Sequence, residues 1–258
     1  MMLPSIYISH GSPGLALMKN NTTKFLEELS TKFQTPKYIL VISAHWVTNS
    51  LKILYEDNPH TIYDFYNFPK ELYALTYEAP SSKEKNDEIV NLLTSNGIDI
   101  QKDYSRGGYD HGVWSPLKFL YPKADIPIIQ ISLPLTYDAK ELMHLGEVLY
   151  KLREDTLIIG SGSMTHNLGD IVWDENKSDV KPYAKEFRDW VVDKLEKADI
   201  DSLSNYKQAP YLAHNHPTLE HFLPLFVSLG ASKSKVGKSL HDVYMYGNLS
   251  MDTILFEE

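Results

Sequence analysis

The chain has 258 residues, 43% hydrophobic and 23% charged, with 25 Lys plus Arg against 34 Asp plus Glu and a formal charge of -9. That length buries a substantial core in one large α/β domain or two small ones, and the acidic balance argues against non-specific binding to nucleic acid or to an anionic membrane face. There is no cysteine, so disulfides and thiolate ligands are excluded and any metal site must be built from His, Asp and Glu.

The opening segment, "MMLPSIYISHGSP", enters a strand at once, without a basic region followed by a longer apolar one. No signal peptide is expected, and the cytoplasm is the expected compartment. No apolar run approaches the roughly 20 residues that a membrane helix requires. The runs SIYIS (5–9), YILVIS (38–43), LKILYE (51–56), IPIIQIS (126–132) and TLIIGSG (156–162) read as strands. They are short, β-branched and nearly all apolar, as in strands covered on both faces.

Helical patterns lie between them. Phe25, Leu26, Leu29 and Phe33 share one face. In "SSKEKNDEIVNLLTSNG", Ser81 or Ser82 is the N-cap and Gly97 follows the last turn. Behind Asp138, Leu142, Leu145, Leu149 and Leu152 recur at helical spacing, and Tyr183, Phe187, Trp190, Val191 and Leu195 repeat the pattern. The aromatic stretch 57–80 has no clear period and reads as a long ordered loop near a pocket. Two period-2 runs flank Gly247-Asn248 and predict a hairpin, with an antiparallel edge. Alternation of this kind predicts an α/β fold, a single domain over residues 1–258, with a central mostly parallel sheet flanked by helices.

The chemistry concentrates on histidine. "IYISH" leaves a strand at His10, "YILVISAH" at His45, and "LIIGSGSMTH" reaches His166 through a Gly-Ser loop. Ligands of open α/β sheets bind beyond the carboxyl ends of the strands, so three imidazoles there predict one shared site. A single strand-end His is more often structural; three among ten favour function. In "HNHPTLEHFLPL", Pro217 fits the first turn of a helix, with His216 as cap and Glu220 and His221 one turn in. His216 and His221 are about 140° apart around such a helix and do not share a face. "RGGYDHGVWSPL" sets Asp110 and His111 in a glycine-rich turn; a cap made by Asp110 is the bland alternative to a site lining. "GSGSMT" has Thr165 where a dinucleotide fingerprint needs glycine, so nucleotide binding is weakly supported.

Taken in order, "SHGSP", "SAHW", "YDFYNFP", "YDHGVWSPL", "GSGSMTHNL" and "HPTLEHFLPL" closely resemble the DOPA dioxygenase branch of the class III extradiol ring-cleavage dioxygenases, the LigB-like superfamily. The six motifs run from residue 9 to about residue 225. The resemblance implies an extradiol dioxygenase opening a DOPA-like catechol with O2 at a mononuclear non-haem metal at the strand ends. It implies His10, His45 and His221 as metal ligands, with Glu220 a rival to His221, because better-known class III enzymes use two His and one Glu. His166 resembles the acid/base residue, and His111 a hydrogen-bonding residue on the substrate side. Asp110, Tyr63 and Phe65 are candidate substrate contacts. One divalent ion per chain is implied, Fe(II) for activity, with Zn(II) an occupant that the same nitrogens bind. A non-catalytic metal-binding protein of the same fold and a zinc-dependent hydrolase are the two other readings.

Overall fold

The computed structural model describes residues 2–174 and 179–258. In chain order its strands are β1 (Ser5–Ser9), β2 (Tyr38–Thr48), β3 (Lys52–Leu54), β4 (His60–Thr61), β5 (Gln101–Asp103) and β6 (Gly108–Tyr109). There follow β7 (Ile128–Pro134), β8 (Thr156–Gly162), β9 (Gly237–His241), β10 (Tyr244–Met245), β11 (Leu249–Ser250) and β12 (Thr253–Phe256). The α-helices are α1 (Asn21–Leu29), α2 (Lys83–Ser95), α3 (His111–Leu120) and α4 (Ala139–Leu149), then α5 (Pro182–Glu196), α6 (Ile200–Ser204), α7 (Leu212–Asn215) and α8 (Pro224–Gly230).

Eight strands form one sheet in the order β5-β3-β7-β2-β8-β1-β12-β9. The central four, β7, β2, β8 and β1, are mutually parallel, while β12 and β9 add an antiparallel edge and β3 joins β7 antiparallel. The apolar runs are continuous because both faces are covered. Along β2, Leu40 and Ile42 pack with α2, α4, α5 and α8, whereas Ile39 and Val41 face α1 and α3. Fully burying a Leu or Ile side chain contributes about 1.5–3 kcal/mol, so this double layer fixes the strand ends on which the site is built.

Helix starts follow the expected chemistry. Ser82 caps α2, Asp138 caps α4 in a reciprocal box with Glu141, and Gly97 takes the left-handed φ of +79° just after α2. Stretch 57–80 is a long loop holding only the two-residue β4 and a 3-10 turn at Leu72–Ala74, and buried Thr61, Leu72, Tyr77 and Ala79 anchor it. Gly247 turns a small hairpin of β10 and β11, separate from the main sheet.

Two local expectations that bear on the site fail. β2 does not end at residue 43 but continues to Thr48, because parallel pairing with β7 resumes at Val47. No helix starts at Pro217: residues 217–223 form turns and α8 starts at Pro224. Either proline suits a first helical turn, and here His216 is instead held by packing and by its hydrogen bond to the Met164 carbonyl, at 2.9 Å. Among the described residues no helix is long and apolar enough to cross a membrane.

Candidate metal centre and its cavity

β1, β8 and β2 are neighbours at the middle of the sheet, so their carboxyl ends bring His10, the 161–166 loop and His45 to one rim. His45 lies where β2 leaves its register with β7. Ile42 pairs with Ile131 and Val47 with Leu133, so five steps of β2 oppose two of β7. Such a bulge re-aims the side chains it carries. Ser43 braces it: its Oγ accepts from the His45 backbone N–H at 3.2 Å and donates to Asp110 Oδ1 at 2.6 Å.

His221 arrives from a turn rather than a helix, and backbone contacts place it. Its carbonyl accepts from the Tyr7 hydroxyl at 2.8 Å and from the Ser163 N–H at 2.9 Å. Gly162 allows this approach, since a Cβ there would lie 2.0 Å from the same carbonyl oxygen.

Three imidazole nitrogens converge. His10 Nε2 and His221 Nε2 lie 3.1 and 3.3 Å from His45 Nε2, and the three ligand atoms fall within 4.8 Å of one another. Behind the rings, Glu220 Oε1 takes the His221 Nδ1–H at 3.1 Å, and the Asp64 carboxylate lies 3.2 Å from His45 Nδ1 as an ion-pair contact.

The acceptor behind His10 is set up from further away. Pro116 lies inside α3 and has no N–H for the Gly112 carbonyl. The Ser161 hydroxyl donates to that carbonyl, so its oxygen accepts from His10 Nδ1–H at 2.9 Å. The His10 and His221 hydrogens thus point outward, and the Asp64 carboxylate beside His45 Nδ1 favours the same tautomer there, which turns the three Nε2 atoms to one another as acceptors. A borderline divalent cation fits this all-nitrogen donor set, and outward-bonded Nδ1–H groups are what orient metal-ligating histidines.

The electrostatics agree. Burial, reinforced by the neighbouring imidazoles, holds His10 and His221 well below the ordinary imidazole range. Burial, with the charge of His111, lowers His45 to about 4. Neutral rings are the form that ligates. Burial also lowers His166 to about 3, helped by His216. Asp64 goes the other way: burial pushes it up, but hydrogen bonds and charge from His111, with His45, hold it at about 2.

The centre opens into a cavity of about 810 Å³, large enough for a small aromatic ligand. His166 lines it, stacked on His221 with centroids 3.5 Å apart and planes 7° apart. His111, the first residue of α3, lines it too, its ring Nδ1–H and backbone N–H both given to Asp64. Phe65, Tyr66 and Phe68 from the long loop and Leu168, Ile171 and Trp173 from the segment after β8 line it as well.

The structure therefore gathers His10, His45, His111, His166, Glu220, His221 and Phe65 around one space. Two expected substrate contacts stand outside it. Asp110 is fully buried, its oxygens consumed by Ser43, the Gly112 N–H, Arg106 and Gln130, so the cap reading of this residue holds. Tyr63 sits behind the wall, its hydroxyl donating to the Leu75 carbonyl at 2.8 Å and its ring against Phe65 and Trp114. Asp64, Ser161 and Trp173 were not singled out in the sequence. Asp64 stood inside the quoted "YDFYNFP", but no spacing rule joins it to a histidine 47 residues away.

Comparison with known proteins points the same way. Residues 3–254 match the family described as the catalytic LigB subunit of aromatic ring-opening dioxygenase. A 4,5-DOPA dioxygenase extradiol of Beta vulgaris is 36% identical over 258 residues, 98% of this chain and 96% of its own. A protein of the same name from Escherichia coli (strain K12) is 34% identical over 238 residues, covering 89% and 85%. The crystal structure of an uncharacterized Escherichia coli K12 protein matches with a TM-score of 0.81 at 29% identity, covering 99% of this chain and 100% of that one. With a near-complete family match and relatives above 30% identity, the chain belongs to the LigB family of aromatic ring-opening dioxygenases and is an extradiol ring-cleavage enzyme.

Proposed function

We propose that the chain opens the ring of a catechol bearing a side chain, of the DOPA type, with dioxygen as co-substrate. One divalent ion, Fe(II) in the active form, is held by Nε2 of His10, His45 and His221. The observation that most supports this is the convergence of the three Nε2 atoms, with Nδ1 of His10 and His221 hydrogen-bonded outward and Nδ1 of His45 against the Asp64 carboxylate. Glu220 in this reading orients His221 rather than ligating. Fe(II) supplies the electron transfer that the reaction of dioxygen with the ring requires, which Zn(II) with its closed shell does not.

The chain's own groups handle the substrate. His166 takes a proton from one catechol hydroxyl and later returns it. Burial keeps its ring neutral until then, and the anionic oxygen it creates stabilises the imidazolium, since an opposite charge close by favours the charged form. His111, with Nδ1–H tied to Asp64, keeps Nε2 as an acceptor for the other hydroxyl. Phe65 and Tyr66 offer ring faces and edges to the catechol, a contact worth about 0.5–1.5 kcal/mol beyond area burial. The whole chain, 1–258, acts as the catalytic domain, and a reducing cytoplasm, where Fe(II) stays reduced, suits it.

Anaerobic loading with Fe(II), then oxygen uptake on a panel of catechols including DOPA, tests the reading. A yellow ring-opened semialdehyde formed with Fe(II) and not with Zn(II) is expected. Equal activity with Zn(II), or ester or amide hydrolysis without oxygen uptake, overturns it in favour of a hydrolase. Metal binding without turnover of any catechol overturns it in favour of a non-catalytic metal-binding protein.

A further inference from the structure

Asp64 serves two histidines of different duty. Its Oδ1 accepts the His111 backbone N–H at 3.0 Å, its Oδ2 accepts the His111 Nδ1–H at 2.9 Å, and the same oxygen lies 3.2 Å from His45 Nδ1 as an ion-pair contact. The two rings lie with centroids 3.9 Å apart. An ionised carboxylate only accepts, so it requires the hydrogen on Nδ1 of His111, which it bonds, and favours it electrostatically on Nδ1 of His45, which it faces. Nε2 of His45 is thereby turned to His10 and His221, and Nε2 of His111 is left for the cavity.

The carboxylate is itself rigidly mounted. Its loop is tied to the sheet rim by β4–β6 pairing, by the Ile62 N–H to the Tyr109 carbonyl at 2.8 Å, and by Trp114 Nε1–H to the Ile62 carbonyl at 3.0 Å. The next residue, Phe65, lines the cavity. One short segment thus carries both a cavity wall and a carboxylate set against a metal-side imidazole.

We infer that Asp64 is a positioning residue shared between the two halves of the centre, fixing the tautomer and aim of His45 toward the metal and of His111 toward the substrate. The inference rests on the metal reading of His10, His45 and His221. It predicts that one substitution of equal size damages both metal affinity and substrate handling.

The test is Asp64→Asn, which keeps the side-chain volume. An amide has one acceptor oxygen and one donor nitrogen, so one of the two His111 N–H groups now faces a donor, and the charge against His45 Nδ1 is gone. Zinc affinity read by chelator competition needs no turnover and should fall by about 10- to 100-fold, the usual cost of losing an outer partner of a ligand. Long-range proton–nitrogen spectra of the zinc-loaded protein should show His111 protonated on Nδ1 in the wild type and on Nε2 in the variant. With Fe(II), kcat should fall and KM should rise together. Tyr63→Phe loosens the same loop without touching the carboxylate and should leave zinc affinity and tautomer unchanged. Wild-type affinity and tautomer in Asp64→Asn overturn the inference, and so does an equal loss of affinity in Tyr63→Phe, which makes the role one of loop packing. If the wild type itself binds no zinc, the reading of the centre fails instead, and the spectra of the two proteins distinguish that case.

Discussion

Two buried polar clusters sit on the same sheet, and they are built to opposite ends. At the antiparallel edge, Arg188 meets the fully buried Asp252 through Nε–H and Nη2–H donors at 2.9–3.2 Å, and Ser239 and Ser250 hydroxyls donate to the same carboxylate. Donor meets acceptor at every contact, and charge cancels charge. At the parallel centre, His10 and His221 are buried and His45 partly so, each with a polar group against Nδ1, yet their Nε2 atoms face one another. A closed polar cluster stabilises a fold; one whose satisfied bonds all point away from a common centre is prepared for something else. Burial of polar groups does not separate the two cases, and the direction of the lone pairs does.

That contrast can be broken most severely at a ligand. His45→Ala should lose metal by more than the roughly 10- to 100-fold that an outer partner costs, and with it all turnover, while the fold melts near the wild-type temperature. Asp252→Ala should do the reverse: it leaves Arg188 with only Asp189 and Ser239 as partners and the Ser250 hydroxyl without its acceptor, at a cost of about 1–3 kcal/mol of stability, with metal stoichiometry unchanged in the folded fraction. Elemental analysis beside thermal melts reads both. Retention of full metal by His45→Ala at wild-type affinity would falsify the proposed ligand set.

His166→Ala separates proton transfer from ligation. It should keep its metal and lose turnover by roughly 10²- to 10⁴-fold. Metal lost together with activity would instead assign it as a fourth ligand.

A smaller effect belongs to the chain from Pro116 through Gly112 and Ser161 to His10. Ser161→Ala removes the acceptor for His10 Nδ1–H and should weaken zinc binding by about 10-fold, at the low end of the range for outer partners. Chelator competition that finds no change would show that His10 keeps its tautomer without help.

The gentlest lever is pH. The folded-state pKa values of His10, His45, His166 and His221 are depressed, to about 4 for His45 and about 3 for His166. A depressed imidazole is neutral in both states above the unfolded value of about 6.5, so its contribution is complete there. As pH falls below that value the unfolded chain binds protons first, and stability is lost progressively toward pH 3–4. Asp64, held at about 2, contributes above its unfolded value of about 3.9 and loses that only at lower pH. Melts of the metal-free protein from pH 7.5 to 4.5 should therefore decline, and His166→Ala should flatten the decline. An unchanged slope would remove His166 from the set of neutral buried rings.

Much of this was legible in the chain. Apolar runs and capping residues fixed the layers, and Ser82, Asp138 and Gly97 do the work their types predict. His10, His45 and His166 declared themselves by following apolar strands, and His221 and His111 by the motifs around them. Asp110 and Tyr63 were misread because a site lining and the shell behind it use the same residue types, and only packing decides which a residue joins. The turn at 217–223 was misread because two prolines of equal local merit compete to start one helix.

What the sequence by itself determined is therefore local: periodicity, caps, and which chemical groups stand at the ends of strands. These follow from backbone sterics and from the burial of apolar faces over a few neighbouring residues. The tertiary structure alone decided where the lone pairs point. His10 takes its tautomer from Ser161, 151 residues on, and His111 takes its own from a carboxylate on a separate loop that also lies against His45. Hydrogen-bond direction depends on ångström-scale placement of groups remote in the chain, and no periodicity of the sequence records it.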